Sequence, residues 1–137
     1  DIDTLRKFHA LVSGRVTRSK YTWQIQYEMI MSGTAYVICA FQQNDTDLVS
    51  FSIIEINDNE SMYSVGVYDR SLRTIPLGHI ALANAIKYSK KMGCNKFILG
   101  EFLGSSGGFT EKEKSISHFK NGFSTFNDVE LIFGCQG

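Results

Sequence analysis

Residues 68–91 read YDRSLRTIPLGHIALANAIKYSKK, and this stretch decides the fold. It opens on the end of a strand, crosses a short basic loop and enters a helix that the sequence starts at Pro76. Proline suits a first helical turn because its missing N–H would have had no acceptor there. Arg70 and Arg73 stand just upstream of a turn of backbone N–H groups that the helix itself cannot satisfy. A tip of this kind can hold a phosphate or a carboxylate. It is equally the form of an ordinary strand–loop–helix joint with two solvated arginines. On a 3.6-residue wheel Leu82, Ala85, Ile86, Ser89 and Met92 share one side, and Lys87, Lys90 and Lys91 share the other. The pattern predicts an amphipathic helix over 76–92, laid on a sheet with its lysines toward water and stopped by Gly93.

Working outward, KFILG (96–100) is a short, fully apolar strand of the kind found in the middle of a sheet. A helical connection makes it the parallel neighbour of the strand before the helix. Glu101 stands at its end. FLGSSGG (102–108) is a glycine-rich loop without GxGxxG or Walker spacing. TEKE (110–113) fits a capping box and opens a last helix, with Ile116, Phe119 and Phe123 as its apolar side, His118 toward water and Gly122 at its end. VELIF (129–133) reads as a final strand.

Upstream, three runs read as strands joined by short turns: TAYVICAFQQ (34–43), LVSFSIIEIN (48–57) and SMYSVGVY (61–68). Short turns imply an antiparallel meander. Strict alternation puts Met62, Ser64, Gly66 and Tyr68 on one face of the third strand and Tyr63, Val65 and Val67 on the other. Two helices come first. One carries Ile2, Leu5, Phe8, His9 and Val12, with Asp3 as a cap and Gly14 as a stop. The other, capped by Ser19 or Thr22, carries Trp23, Gln26, Tyr27 and Ile30. Between them lies a basic loop, GRVTRSK (14–20).

Composition bounds the function. Lys plus Arg number 14 and Asp plus Glu number 14, so no global field draws the chain to DNA or to an anionic membrane. Any anion recognition has to be local. No apolar run approaches the ~20 residues of a membrane span. Cys39, Cys94 and Cys135 are widely spaced and expected to be free, mostly buried thiols of a reducing cytoplasm. His9, His79 and His118 lack metal-binding spacing. No internal repeat or linker divides the 137 residues, so a single domain is expected. Its abrupt opening, DIDTLRKF (1–8), is expected of a fragment of a longer two-domain chain.

The order ααβββαβαβ resembles the Gcn5-related N-acetyltransferase (GNAT) architecture, a mixed α/β sheet fold, less its first strand and its last. YSVGVYDR (63–70), PLGH (76–79), AIKYSKKMGCNKFILGE (85–101) and EKEKSISHFKNGF (111–123) resemble, more narrowly, the second such domain of the Fem-type peptidyltransferases and FemAB-like proteins. That likeness runs over about residues 15–134. It implies transfer of an aminoacyl or acyl group to an amine of a cell-envelope or polysaccharide precursor. The implied donor is aminoacyl-tRNA or an acyl-coenzyme A, in a cytoplasmic bacterial protein. It also implies a second GNAT-like domain or a homodimer as partner.

Carried over, Phe119 and Lys120 are the FK pair at the reaction site, with Lys120 stabilising developing negative charge. On the helix wheel alone Phe119 is core and Lys120 an edge lysine. Arg70, Arg73, Gly78 and His79 would hold an anionic donor or substrate. The coenzyme A loop Q/R-x-x-G-x-G/A is absent, and zero net charge counts against a tRNA body.

Acyl transfer to an amine needs a base for the amine proton and a donor for the oxyanion. Glu101, His79 and His118 are candidate bases, Glu101 foremost, because open α/β sheets place sites at the C-terminal ends of parallel strands. Tyr63 and Tyr68 are candidate substrate contacts or simple packing. No Ser-His-Asp order with a nucleophile elbow supports a hydrolase. Two further readings remain: a catalytically degenerate half serving as a scaffold or partner-binding module, and a coenzyme A-dependent N-acetyltransferase.

Overall fold

The computed structural model describes residues 1–43, 46–100 and 108–127. The chain forms two compact units, Asp1–Ile98 and Leu99–Gly137. The first unit runs α1 (Ile2–Ser13), α2 (Lys20–Ser32), β1 (Ala35–Phe41), β2 (Leu48–Asn57), β3 (Glu60–Tyr68), α3 (Leu77–Lys91) and β4 (Lys96–Ile98). The second holds α4 (Glu111–Asn121).

The caps explain the helix ends. Asp1, not Asp3, caps α1, its carboxylate accepting from the Asp3 amide; Asp1 has the free position and Asp3 supplies the N–H. Ser19 caps α2 by accepting from the Thr22 amide. Gly14 and Gly33 close both helices in the left-handed region, at φ 68° and 80°. α3 starts at Leu77, with Pro76 as its cap residue at ψ 59°, one position later than the sequence suggests.

β1, β2 and β3 form the expected antiparallel meander, and β3 pairs parallel with β4, in the order β1-β2-β3-β4. α1 and α2 cover one face, where Leu5, Trp23, Ala35, Phe51, Ile53, Val65 and Val67 form the core. Each buried Leu, Ile, Val or Phe side chain there contributes about 1.5–3 kcal/mol. α3 covers the other face through Leu77, Gly78, Ala81, Leu82, Ala85 and Ser89. Met92, expected on that stripe, lies beyond the last helical residue and is exposed. Cys39, expected to be buried, is a free and exposed thiol, because β1 forms one margin of the sheet among the described strands. KFILG is not central among the described strands: β4 is three residues long and marginal, and VELIF (129–133) lies outside the described residues, as does Cys135.

One irregularity changes which residues face which helix. Ile53 pairs with Val65 but Ile54 pairs with Tyr63, so Ser64 is an extra residue in β3. Such a bulge shifts the alternation by one. Tyr63, Gly66 and Tyr68 therefore share the α3 face with their partners Ile54, Ser52 and Ser50, and Ser64 joins Val65 and Val67 on the α1/α2 face. The expected grouping of Gly66 and Tyr68 with Ser64 is thus corrected. Tyr63 lies over Gly66 so closely that a Cβ there would overlap its hydroxyl.

In the second unit, Thr110 and Glu113 complete the reciprocal capping box on α4. Phe119 and Phe123 meet edge to face at 5.6 Å. Ile116, expected beside them, is exposed, and Ser117 is the buried residue. The covered side of α4 is thus turned by one residue from the apolar stripe, toward Ser117 and, three positions on, Lys120.

Candidate active site

The pairing of β3 with β4 covers only Glu60↔Lys96, Ser61↔Phe97 and Met62↔Ile98. β4 ends there, while β3 continues to Tyr68 along β2. The bulge at Ser64 sits two residues beyond the last parallel pair. Bulges re-aim side chains and concentrate beside functional sites. Here the bulge turns the Ser64 hydroxyl to the α1/α2 face, where it donates to Glu55 Oε1 at 2.6 Å.

Gln26 Nε2 of α2 donates to the same Oε1 at 3.0 Å. Both donors meet one carboxylate oxygen, which leaves Oε2 to accept a proton from elsewhere. Gln26 is buried, and its own carbonyl oxygen has no donor among the described residues. Arg18 Nη2 donates to the Ser64 carbonyl at 3.5 Å, the long limit of such a bond. Glu55, Ser64, Gln26 and Arg18 thus form one polar group at the bulge, in an otherwise apolar layer. Sequence reasoning missed Glu55. The signal was present: in LVSFSIIEIN, Glu55 shares the face of Phe51 and Ile53, so an acid falls on the core side of a strand.

The α3 joint keeps its expected form. Asp69 N–H still bonds the Val49 carbonyl, and the Asp69 carboxylate then accepts from the Ser71 amide at 2.8 Å, which holds its pKa below the usual value. Arg70 and Arg73 are exposed and in no ion pair among the described residues. The Ile80 amide closes onto the Pro76 carbonyl, and no side chain caps the helix. Gly78 is buried against the sheet and His79 is exposed. Tyr68 is exposed; Tyr63 is half-buried, and burial pushes its phenol up.

The remaining predicted residues divide. Glu101 lies outside the described residues. Phe119 and Lys120 belong to the second unit. Lys120 is half-buried, and its ammonium lies beside Gly100, where an added Cβ would stand 3.2 Å from Nζ. It is not a lysine on a fully solvated face. His118 is exposed, as expected. Among the described residues no group of three His, Cys, Asp or Glu is placed to hold a metal ion, and no helix is long and apolar enough to cross a membrane.

No family model and no curated protein matches the sequence. Solved structures do match the fold. Ribosomal-protein-alanine N-acetyltransferase from Brucella melitensis biovar Abortus superposes with a TM-score of 0.69 at 10% identity, covering 99% of this chain and 92% of that one. Glucosamine-6-phosphate N-acetyltransferase from Arabidopsis thaliana gives 0.63 at 15% identity, covering 99% and 95%. AAC(6')-Iy, in complex with the bisubstrate analogue CoA-S-monomethyl-acetylneamine, gives 0.64 at 11% identity, covering 99% and 90%. The chain has the mixed α/β fold of the GNAT acetyltransferases.

Proposed function

We propose that this chain transfers an acyl group from a donor lying along the open edge of β3 to an amine. The observation that carries the reading is the coincidence of that edge with the bulge and Glu55. Beyond Met62, β3 has no β4 residue opposite it among the described residues, so its N–H and C=O groups can pair with the amides of an extended donor. Solved neighbours with this fold are N-acetyltransferases, and one holds a coenzyme A bisubstrate analogue. These support an acyl-coenzyme A donor, with Arg70, Arg73 and the uncapped start of α3 receiving its phosphates.

The chemistry needs few groups. Glu55 Oε2 takes the proton from the acceptor ammonium, and the neutral amine attacks the acyl carbonyl. Backbone N–H groups along β3 are donors available to the oxyanion, and the likeness to Fem-type sequences supports Lys120 in the same role. Collapse expels the donor's thiolate, or the ribose oxygen of an aminoacyl ester, and the leaving group takes the second proton of the nitrogen. The likeness to Fem-type sequences supports an aminoacyl group as cargo and a cell-envelope or polysaccharide precursor as the amine, with a second GNAT-like domain or a second copy as partner.

The test is binding and turnover with acetyl-coenzyme A and with aminoacyl-tRNA as donors, against a panel of amines. Glu55→Gln keeps the hydrogen bonds to Gln26 and Ser64 but cannot take the proton. It should lower kcat about 100-fold or more while leaving donor affinity unchanged. Lys120→Ala should remove most activity with little loss of stability. Binding of neither donor, or full turnover in both variants, rejects the proposal.

A further inference from the structure

A second cationic feature lies at the other end of the chain, where α1, the basic loop and the start of α2 enclose a recess of about 180 Å³. Arg6, His9, Thr17, Arg18, Lys20 and Trp23 line it, and no carboxylate does. The whole chain is balanced at 14 cations and 14 anions, so this local excess is a property of the recess. Arg6 is engaged by Asp3 at 3.1 Å. Arg18 and Lys20 are in no ion pair among the described residues. Like charges held on one wall raise each other's energy, and an anion between them relieves it. The volume equals that of roughly six waters, enough for a carboxylate or phosphate with part of its carrier.

Arg18 joins the recess to the polar group at the bulge, because the same guanidinium bonds the Ser64 carbonyl. That bond uses one of its five N–H donors and leaves a fork for a planar or tetrahedral anion. We infer that the recess receives the anionic group, carboxylate or phosphate, of the amine acceptor, with Arg18 and Lys20 as its contacts. This rests on the acyl-transfer reading above and adds the acceptor's class: an amine that carries a negative charge. Donor and acceptor anions are then separated, with the donor's phosphates at the α3 joint and the acceptor's at the α1–α2 loop.

Trp23 lines the recess and is the one tryptophan of the chain, so its emission reports occupancy. The full chain is titrated at constant ionic strength with inorganic phosphate and, in a separate arm, with acetate. A saturable change is expected in at least one arm, and the tighter anion identifies the acceptor group. The pair Arg18→Gln with Lys20→Gln should weaken that affinity about tenfold or more. Arg15→Gln, on the same loop but outside the recess, should not change it. Lys20→Gln alone, at an exposed position, keeps the test available if the double variant unfolds.

Saturating acetyl-coenzyme A should leave anion affinity unchanged. The inference is overturned by no saturable change with either anion, by binding that survives the substitutions, or by displacement with acetyl-coenzyme A. Anion binding in a chain that binds neither acetyl-coenzyme A nor aminoacyl-tRNA would instead overturn the acyl-transfer reading, and the acceptor role with it.

Discussion

The two faces of the sheet are built on different principles. Under α1 and α2 the rings do the packing: Phe51 lies 6.0 Å from Phe8 and 6.4 Å from Trp23, with Ile53, Val65 and Val67 around them. Under α3 the sheet presents Ser50, Ser52, Ser61, Gly66 and the tyrosines Tyr36, Tyr63 and Tyr68 beside Ile54. Tyr36 donates to the Ala85 carbonyl at 2.8 Å, so the 2.7 Å contact with Ser89 has the serine as donor. Ala81, Ala85 and Ser89 bring α3 close to this surface. One face is therefore specified by volume and the other by clearance and hydrogen bonds. The polar exception on the first face, Glu55 with Gln26 and Ser64, then stands out as the part that packing does not explain.

Substitutions on the two faces should differ in size and in kind. Phe51→Ala empties a fully buried site in the aromatic layer and should cost about 3–5 kcal/mol by denaturant unfolding. On the α3 face the sensitive change is an addition. Gly66→Ala drives a methyl into the Tyr63 hydroxyl and should cost about 1–3 kcal/mol. In a Tyr63→Ala background the clash is gone, and the same change should become neutral or slightly stabilising, since glycine in a strand is otherwise a loss of about 0.5–1 kcal/mol. A Gly66→Ala cost that persists in the double variant would show that clearance does not govern this face. A Phe51→Ala cost below that of Gly66→Ala would remove the contrast altogether.

The elements and their order were legible because each is set by local chemistry. Ser19 and Thr110 cap, Gly14 and Gly33 stop, and the β-branched runs alternate. The parallel placement of β4 followed from its helical connection. What was not legible depends on partners distant in sequence. No residue in SMYSVGVY announces the bulge, because Ser64 becomes extra only through its pairing with Ile53 and Ile54. That one insertion separated Gly66 and Tyr68 from Ser64 and put Ser64, which meets Glu55, on the face of Val65 and Val67. Cys39 looked buried because its strand is apolar, but its exposure follows from the strand's place at the sheet margin. The exposed arginines and the helix start at 70–77 were legible from the sequence. The α1–α2 recess was not, because Arg6 reaches it from the preceding helix and only folding brings it to the loop.

The finest distinction between the faces is how they respond to protons. His9 meets Trp23 edge-on at 5.4 Å, and burial, then the nearby Arg18 charge, holds its pKa below 6.5. The unfolded chain therefore binds a proton at His9 more readily than the folded one. The stability that His9 contributes is complete above pH 6.5 and is lost as pH falls from there toward the lowered folded value. The part of this window just below pH 6.5 lies above the ordinary carboxylate range, so a fall in unfolding midpoint there reports histidine, and His9→Gln should flatten it. An anion in the recess reverses part of the cause, because it offsets Arg18 and favours the imidazolium. The ring-proton titration of His9 by NMR should accordingly move to higher pH when phosphate or acetate is added at constant ionic strength. A midpoint that ignores both anions would place the bound charge away from Arg18, even if Trp23 emission had changed.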